Sequence, residues 1–217
     1  MELILSIETT ANICSISISN REQCLVEYSI SIPNSHDQFL AELTFRALKD
    51  LQVSVNDLTA VAVSSGPGSF TGLRIGSAFA KGLCFDNSIK LVPVPTLSAL
   101  AYNCKELASK FAKRIISVVH SHKNFFFYQF YDLNGHPTSS VSFADLEEIG
   151  TNVTDYDFVV GFGADKIEKG IQNQDFNYLT GQRVAKLGWK LLSEGMVVPA
   201  EDFVPSYYLE FQPKIKS

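Results

Sequence analysis

Residues 60–63 constrain the fold of this 217-residue chain more than any other run, because all four side chains (Ala-Val-Ala-Val) are apolar. A strand without a polar face must be covered on both sides, which is typical of central strands in parallel sheets. A glycine-rich loop follows at 64–69, and a helix is predicted over about 71–85. This strand, loop and helix predict a layered α/β protein.

The first half of the chain is predicted to run strand, strand, strand, helix, strand, helix, strand, helix. The predicted strands lie at 3–7, 14–19, 24–28, 60–63 and 91–94, and the helices at 36–51, 71–85 and about 96–109. Residues 14–19 alternate apolar and polar side chains, which is typical of a half-buried strand. Short connections favour antiparallel pairing of the first three strands. Pro93 has no amide donor, so its strand is expected at a sheet edge.

The second half repeats this order in a reduced form. Strands are predicted at 114–119, 125–131, 140–143 and 157–161, with a turn at 134–135 and helices at 144–149, 164–171 and 180–194. A boundary near residue 110 is expected, dividing the chain into domains 1–110 and 111–217. The helix at 36–51 is expected to be capped by Asn34 or Ser35.

Charge and cysteine usage restrict the classes of function. The net charge of −5 argues against gripping nucleic-acid backbones by bulk electrostatics, so any role on nucleic acid is expected to act through a partner. No apolar run is long enough for a membrane helix, and no basic region opens a signal peptide. Four cysteines without a CxxC pair indicate a reducing, cytoplasmic setting.

Two sequence motifs could hold phosphate. Glu8-Thr9-Thr10 ends the first strand and opens a hairpin, where a carboxylate and hydroxyl donors can hold a phosphate and its metal. The same residue types are common in ordinary exposed turns, so both interpretations stay open.

The second motif is the loop and helix start at 64–76, which matches neither a Walker A loop nor GxGxxG. Its glycines permit unusual backbone conformations and close approach of another segment, and its hydroxyls can cap the helix. A helix N-terminus also attracts anions, and an arginine would add charge. A tight structural turn and an anion site are therefore both open. The residues concerned are Gly66, Pro67, Gly68, Ser69, Thr71 and Arg74.

The helices at 36–51 and 71–85 carry apolar side chains over a wide arc. The first is either a broad core face or a helix with a second face for a partner. The second has small residues at every fourth position, which permit close packing on the chain's own sheet or on another molecule. The predicted partner-interface residues are Phe39, Leu40, Leu43, Phe45, Gly72, Gly76, Phe79, Ala80 and Leu83.

No metal site and no catalytic residue are predicted. The four histidines are His36, His120, His122 and His136. Leu40 stands four residues after His36, so the His-x-x-x-His spacing of a helical metal site is absent. His120 and His122 lie on one face of a strand without a nearby acidic or cysteine ligand.

Three stretches together carry a resemblance to a known family. They are Leu5-Ser6-Ile7-Glu8-Thr9-Thr10, Ser65-Gly66-Pro67-Gly68-Ser69-Phe70-Thr71-Gly72-Leu73-Arg74-Ile75-Gly76 and Val94-Pro95-Thr96-Leu97-Ser98-Ala99-Leu100. They resemble the bacterial TsaB (YeaZ) family. The resemblance is firm over about the first 105 residues and looser afterwards.

The resemblance implies an actin-like ATPase fold, of the sugar kinase and Hsp70 type, with two lobes and a reduced second lobe. It implies a non-catalytic subunit of the machinery that makes threonylcarbamoyladenosine on tRNA. The implied partners are the catalytic paralogue TsaD and the ATPase TsaE, with tRNA reached indirectly and a homodimer formed when TsaD is absent. No cofactor is expected, with ATP or ADP bound only in the complex.

The sequence departs from the family pattern at three places. Glu8 stands where Asp is usual, Ala11 stands where a hydroxyl is common, and residues 120–123 read His-Ser-His-Lys where the family often has Asp-Ala-Arg-Arg. In the second half, residues 161–164 could be a remnant of a phosphate-binding loop. The departures leave Glu8, Thr9 and Thr10 as a vestigial phosphate motif. The alternative functions are a small-molecule kinase or carbamoyltransferase of the same superfamily, or a metallopeptidase.

Overall fold

Two five-stranded sheets organise the computed structural model, which describes residues 2–32, 36–85 and 88–208. The strands are β1 (Ile4–Glu8), β2 (Cys14–Ser19), β3 (Cys24–Ile30), β4 (Ala60–Ser64), β5 (Lys90–Val94), β6 (Arg114–His122), β7 (Phe125–Tyr131), β8 (Ser142–Asp145), β9 (Asp157–Phe162) and β10 (Ile171–Gln172). The helices are α1 (His36–Asp50), α2 (Phe70–Cys84), α3 (Thr96–Phe111), α4 (Leu146–Asn152) and α5 (Gly181–Ser193). Within the described ranges, no helix is long and apolar enough to cross a bilayer.

The first sheet has the order β3-β2-β1-β4-β5. β1 pairs antiparallel with β2 and parallel with β4, and β2 pairs antiparallel with β3. Strand β4 is covered by α2 on one face and by α5 on the other, as its uniformly apolar sequence predicts. Strand β5, which carries Pro93, is the edge strand that the missing amide donor predicts.

The second sheet repeats this arrangement. Its order is β10-β9-β6-β7-β8, with β6 taking the place of β1 between an antiparallel hairpin partner and a parallel neighbour. The predicted internal repeat is therefore confirmed at the level of strand order. The repeat is reduced because a single 3-10 turn, Ala164–Lys166, stands where the first half has the long helix α2.

Two helices exchange places between the halves. Helix α3 follows the first sheet in the chain but packs on β6 and β9, whereas α5, which comes last, packs on the first sheet. The two helices also pack on each other and share one apolar cluster with both sheets. The expected boundary near residue 110 falls at the end of α3. It stays a prediction, and α5 carries the chain back across it.

The alternation in β2 has a different meaning from the one predicted. All six residues of the strand are buried, so the serine face does not meet solvent. It lies beneath α5, where the Ser15 hydroxyl accepts a hydrogen bond from the Gly181 amide at 2.8 Å and the Ser19 hydroxyl accepts one from the Trp189 indole at 3.0 Å. Small hydroxyl side chains let the glycines of α5 approach the sheet closely.

The predicted helix at 164–171 is wrong beyond its first turn. Gly163 and Gly170 adopt positive φ angles of 91° and 90°, which end helical geometry on either side of the 3-10 turn. Helix α3 begins at Thr96 after Pro95, without a side-chain cap hydrogen bond. The predicted caps Asn34 and Ser35 lie outside the described residues.

Gly181→Ala should destabilise the protein by about 1–3 kcal/mol, because the added methyl group meets packed backbone. An ideal Cβ there would lie 2.4 Å from the Ser17 amide nitrogen. Gly82→Ala is the matched control, since nothing lies within 4 Å of its Cβ. It should stabilise α2 by about 0.5–1 kcal/mol. Urea unfolding measures both, and equal stability of the two variants would contradict the close packing of α5.

Candidate functional site

A cleft of about 810 Å³ separates the two sheets at the ends of their central strands. One wall is formed by residues of the first half: Thr10, Ala11, Asn12, His36, Asp37, Pro67, Gly68, Ser69, Phe70, Thr71, Gly72, Leu73 and Ile75. The other is formed by Val119, His120, Ser121, Phe127, Phe162, Gly163 and Lys166, and Ser206, Tyr207 and Tyr208 complete the lining. The two candidate phosphate motifs therefore meet at one wall, although they are more than fifty residues apart in sequence.

The carboxylate of Glu8 is fully buried and is engaged by its own chain. Its Oε1 accepts hydrogen bonds from the Thr10 amide and the Thr10 hydroxyl, both at 2.5 Å, and its Oε2 accepts one from the Ser64 hydroxyl. Burial raises the pKa of Glu8 above its usual value, and the bonds from Ser64 and Thr10 offset part of that rise. The carboxylate thus serves as the internal acceptor of the turn between β1 and β2.

Thr9 fills the groove that the small residues of α2 leave. Its hydroxyl donates to the Gly72 carbonyl at 2.8 Å. A Cβ on Gly72 would lie 1.9 Å from the Thr9 carbonyl oxygen, and one on Gly76 would lie 2.4 Å from Thr9 Oγ1. Of the two readings of the small-residue stripe, close packing within the chain therefore describes Gly72 and Gly76.

The glycine-rich loop is held by backbone bonds on both sides. The Ser69 amide donates to the Thr10 carbonyl at 2.8 Å, and the Ser69 hydroxyl caps α2 by accepting from the Gly72 amide at 3.2 Å. Gly66 has the positive φ, at 108°, whereas a Cβ on Gly68 would lie 2.5 Å from Thr10 Cβ. Of the two roles expected for the loop glycines, Gly66 has the unusual backbone conformation and Gly68 permits the close approach of Thr10.

The other members of this motif have distinct positions. Pro67 and Thr71 line the cleft, and Thr71 is exposed. The exposed Arg74 guanidinium lies over the Phe70 ring, 5.5 Å from its centroid, and Arg74 is not among the residues that line the cleft. The added positive charge expected from Arg74 therefore sits outside the cleft lining.

The opposite wall includes Lys166, which the sequence did not identify, and His120, which it did not connect with the site. The Lys166 ammonium lies 3.3 Å from His120 Nε2, and that ring nitrogen donates to the Lys123 carbonyl at 2.7 Å. The glycines of 161–164 have packing roles, because a Cβ on Gly161 would lie 2.1 Å from the Val118 carbonyl oxygen. The signal that could have found this wall is the match between β6 and β1, since both strands then end at the cleft.

His36 also belongs to the site, although the sequence identified it only as a rejected metal ligand. It is 7% exposed and its Nε2 donates to the Ala11 carbonyl at 2.8 Å. This bond ties the first turn of α1 to the turn between β1 and β2. In the described residues, no group of three His, Cys, Asp or Glu side chains is arranged to hold a metal.

The predicted partner-interface residues divide by burial. Those buried within the chain are Leu40, Leu43, Gly72, Gly76 and Ala80. Those partly buried are Phe39, Phe79 and Leu83, whereas Phe45 is 69% exposed. The interface itself stays a prediction. Only the second group and Phe45 present side-chain surface on the outer side of α1 and α2.

The repeated strand order and the cleft between the two sheets define an actin-like ATPase (sugar kinase) fold. A glucomannokinase from an Arthrobacter strain superposes with a TM-score of 0.50 at 10% identity, over 88% of this chain and all of that one. YeaZ from Pseudomonas aeruginosa superposes with a TM-score of 0.81 at 22% identity, over 95% of this chain and 100% of that one. These likenesses establish the fold.

Sequence comparison identifies the family. The family model for TsaD, tRNA N6-adenosine threonylcarbamoyltransferase, matches residues 28–141, which is just over half of the chain. The chain belongs to this family, in its TsaB (YeaZ) group. The predicted resemblance is confirmed.

Two relatives show the extent of the match. The tRNA threonylcarbamoyladenosine biosynthesis protein TsaB of Escherichia coli K12 is 33% identical over 98 residues, 45% of this chain and 42% of that protein. TsaB of Buchnera aphidicola from Baizongia pistaciae is 27% identical over 139 residues, 63% of this chain and 61% of that protein. The chain spans about half the length of the curated relatives it matches.

Glu8→Gln should be tolerated at pH 7, whereas Glu8→Ala should cost about 1–3 kcal/mol because it leaves buried hydroxyl and amide donors unpaired. The folded protein binds the Glu8 proton more tightly than the unfolded chain does, since the pKa is raised. Wild-type stability should therefore fall as the pH rises through the folded pKa, and Glu8→Gln should lack this fall.

Melting temperatures between pH 4 and pH 8 test this expectation. The advantage of Glu8→Gln over the wild type should grow with pH, and Glu42→Gln on the exposed side of α1 is the control. A difference that shrinks as the pH rises would contradict the assignment of a raised pKa.

Gly68→Val should lower the folded yield and the stability by about 1–3 kcal/mol, because the side chain meets Thr10. Gly150→Val is the control, since nothing lies within 4 Å of its Cβ. An unchanged melting temperature together with a lost affinity for nucleotide would show instead that the loop is a working phosphate cradle.

Proposed function

We propose that this chain is a non-catalytic subunit in the biosynthesis of threonylcarbamoyladenosine on tRNA. In this proposal it binds and supports a TsaD-type transferase, and a TsaE-type ATPase joins the two. It reaches tRNA through the complex, in the cytoplasm, and pairs with a second copy of itself when the transferase is absent. The relatives named TsaB support the pathway.

One observation carries the non-catalytic part of the proposal: the groups that could hold phosphate are bonded within the chain. The Glu8 carboxylate accepts three hydrogen bonds from Thr10 and Ser64, and the Thr9 hydroxyl donates to α2. A carboxylate that served a metal–phosphate group would need free acceptor positions facing the cleft. We therefore expect the isolated chain to bind no nucleotide, with ATP or ADP held only in the complex.

The outer side of α1 and α2 is the partner surface in this proposal. The two helices lie side by side on the first sheet, and Phe45 projects from α1 with 69% of its surface exposed. Phe39 and Phe79 are partly buried and pack against the core beneath the two helices. Aromatic side chains are enriched at protein interfaces, so an exposed one is a candidate anchor. A homologous lobe would present a matching pair of helices, which allows a pseudo-twofold contact.

Reconstitution tests the function. Threonylcarbamoyl transfer to tRNA should require this chain together with the transferase and the ATPase, and this chain alone should give none. Transfer by the chain alone, or phosphorylation of a small sugar by it, would favour the kinase or carbamoyltransferase alternative. Full transfer without the chain would also contradict the proposal.

Phe45→Glu should weaken binding to the transferase by about tenfold or more, because the interface would bury an unpaired charge. Phe111→Glu is the matched control, since Phe111 is 62% exposed at the end of α3. Analytical ultracentrifugation measures both variants, with the melting temperature as the folding control. Equal binding by both variants would move the partner surface away from α1. Gly76 and Ala80 are unsuitable for this test because they are buried within the chain.

A further inference from the structure

The last described stretch, residues 198–208, crosses the molecule from the edge of the first sheet to the cleft, and we refer to it as the C-terminal strap. Its first part is firmly attached. The Val198 amide donates to the Leu91 carbonyl on β5 at 3.0 Å, and the Lys81 ammonium donates to the carbonyls of Glu201 and Phe203, each at 3.1 Å. Phe203 is 4% exposed and belongs to the core beneath α1 and α2.

The second part of the strap reaches the glycine-rich loop. The Ser206 amide donates to the Ser65 carbonyl at 2.8 Å. The Ser206 carbonyl oxygen lies 2.7 Å from the position of a Cβ on Gly66, so a side chain at Gly66 would collide with the strap. Part of the constraint on this loop is therefore the passage of the strap against it.

The two tyrosines that follow contact opposite walls of the cleft. The centroid of the Tyr207 ring lies 5.0 Å from that of the Phe70 ring, at the start of α2 in the first half. The centroid of the Tyr208 ring lies 5.9 Å from that of the Phe127 ring, on β7 in the second half. Ser206, Tyr207 and Tyr208 all line the cleft. Adjacent residues of one extended segment thus join the two walls.

The attachment of this end is much weaker than that of the first part. Tyr207 and Tyr208 are 39% and 43% exposed, whereas Pro205 before them is buried. Single aromatic contacts of this kind change an equilibrium constant by about two- to tenfold. Such contacts can open while the buried Phe203 and Pro205 keep the rest of the strap in place.

We propose that residues 206–208 are a releasable closure of the cleft, which the chain itself supplies and which any ligand or partner segment entering there must displace. The closure joins the two walls at the cleft through the contacts of Tyr207 and Tyr208. This inference is independent of the proposed role in tRNA modification, because it rests only on contacts within the chain.

Hydrogen exchange of the Ser206 amide, followed by NMR on the full chain, tests the closure. In the wild type this amide should be protected through its bond to Ser65. Tyr207→Ala and Tyr208→Ala should each speed its exchange by about two- to tenfold. Phe70→Ala should speed the exchange by the same factor as Tyr207→Ala. The double variant should exchange little faster than either single variant, because both substitutions remove the same ring contact.

Two controls separate the closure from general destabilisation. Tyr208→Phe keeps the ring and should exchange like the wild type. Tyr156→Ala changes an exposed tyrosine that does not line the cleft and should also leave Ser206 unaffected. Exchange of the wild-type Ser206 amide at the rate of an unstructured peptide would overturn the proposal. An unchanged rate in Tyr208→Ala would overturn it too, because the segment would then be held by one wall only.

Discussion

The close contact between the turn after β1 and the glycines that begin α2 fixes the geometry of one cleft wall. Thr9 and Thr10 lie where side chains on Gly68, Gly72 and Gly76 would collide with them. This approach also encloses Glu8, whose carboxylate then has to be satisfied by hydrogen bonds from the chain itself. The position of α2, the burial of Glu8 and the path of the loop are consequences of one contact.

The exchange of α3 and α5 between the sheets ties the second wall to the first. Because α5 packs on the first sheet and α3 on the second, their mutual contact connects the two halves. The serine face of β2 permits this, since short side chains admit Gly181 against the strand backbone. The C-terminal strap adds a second, weaker connection through Tyr207 and Tyr208 at the cleft. The two connections differ in burial, which is why the helices hold the halves together while the strap can open.

Local patterns predicted most elements well because strands and helices follow from periodicity over a few residues. The apolar residues of β4 predicted a buried strand, and the missing amide donor of Pro93 predicted an edge strand. The apolar spacing of α5 predicted a helix, and the structure agrees with all three. Two outcomes were decided by a distant segment. The serines of β2 are buried because α5 returns to cover them, and Gly68 is required because Thr10 lies against it.

The sequence by itself determined the α/β class and the family resemblance, because a buried strand, a glycine-rich loop and the helix that follows are contiguous in the chain. It also identified Glu8 and the glycine-rich loop as candidate phosphate-binding features. Only the tertiary structure decided that Glu8 is engaged by Thr10 and Ser64, that the small residues of α2 receive Thr9, and that the strap reaches the cleft. The physical reason is that burial and hydrogen-bond satisfaction depend on segments far apart in the chain, whereas local patterns record only the preferences of neighbouring residues.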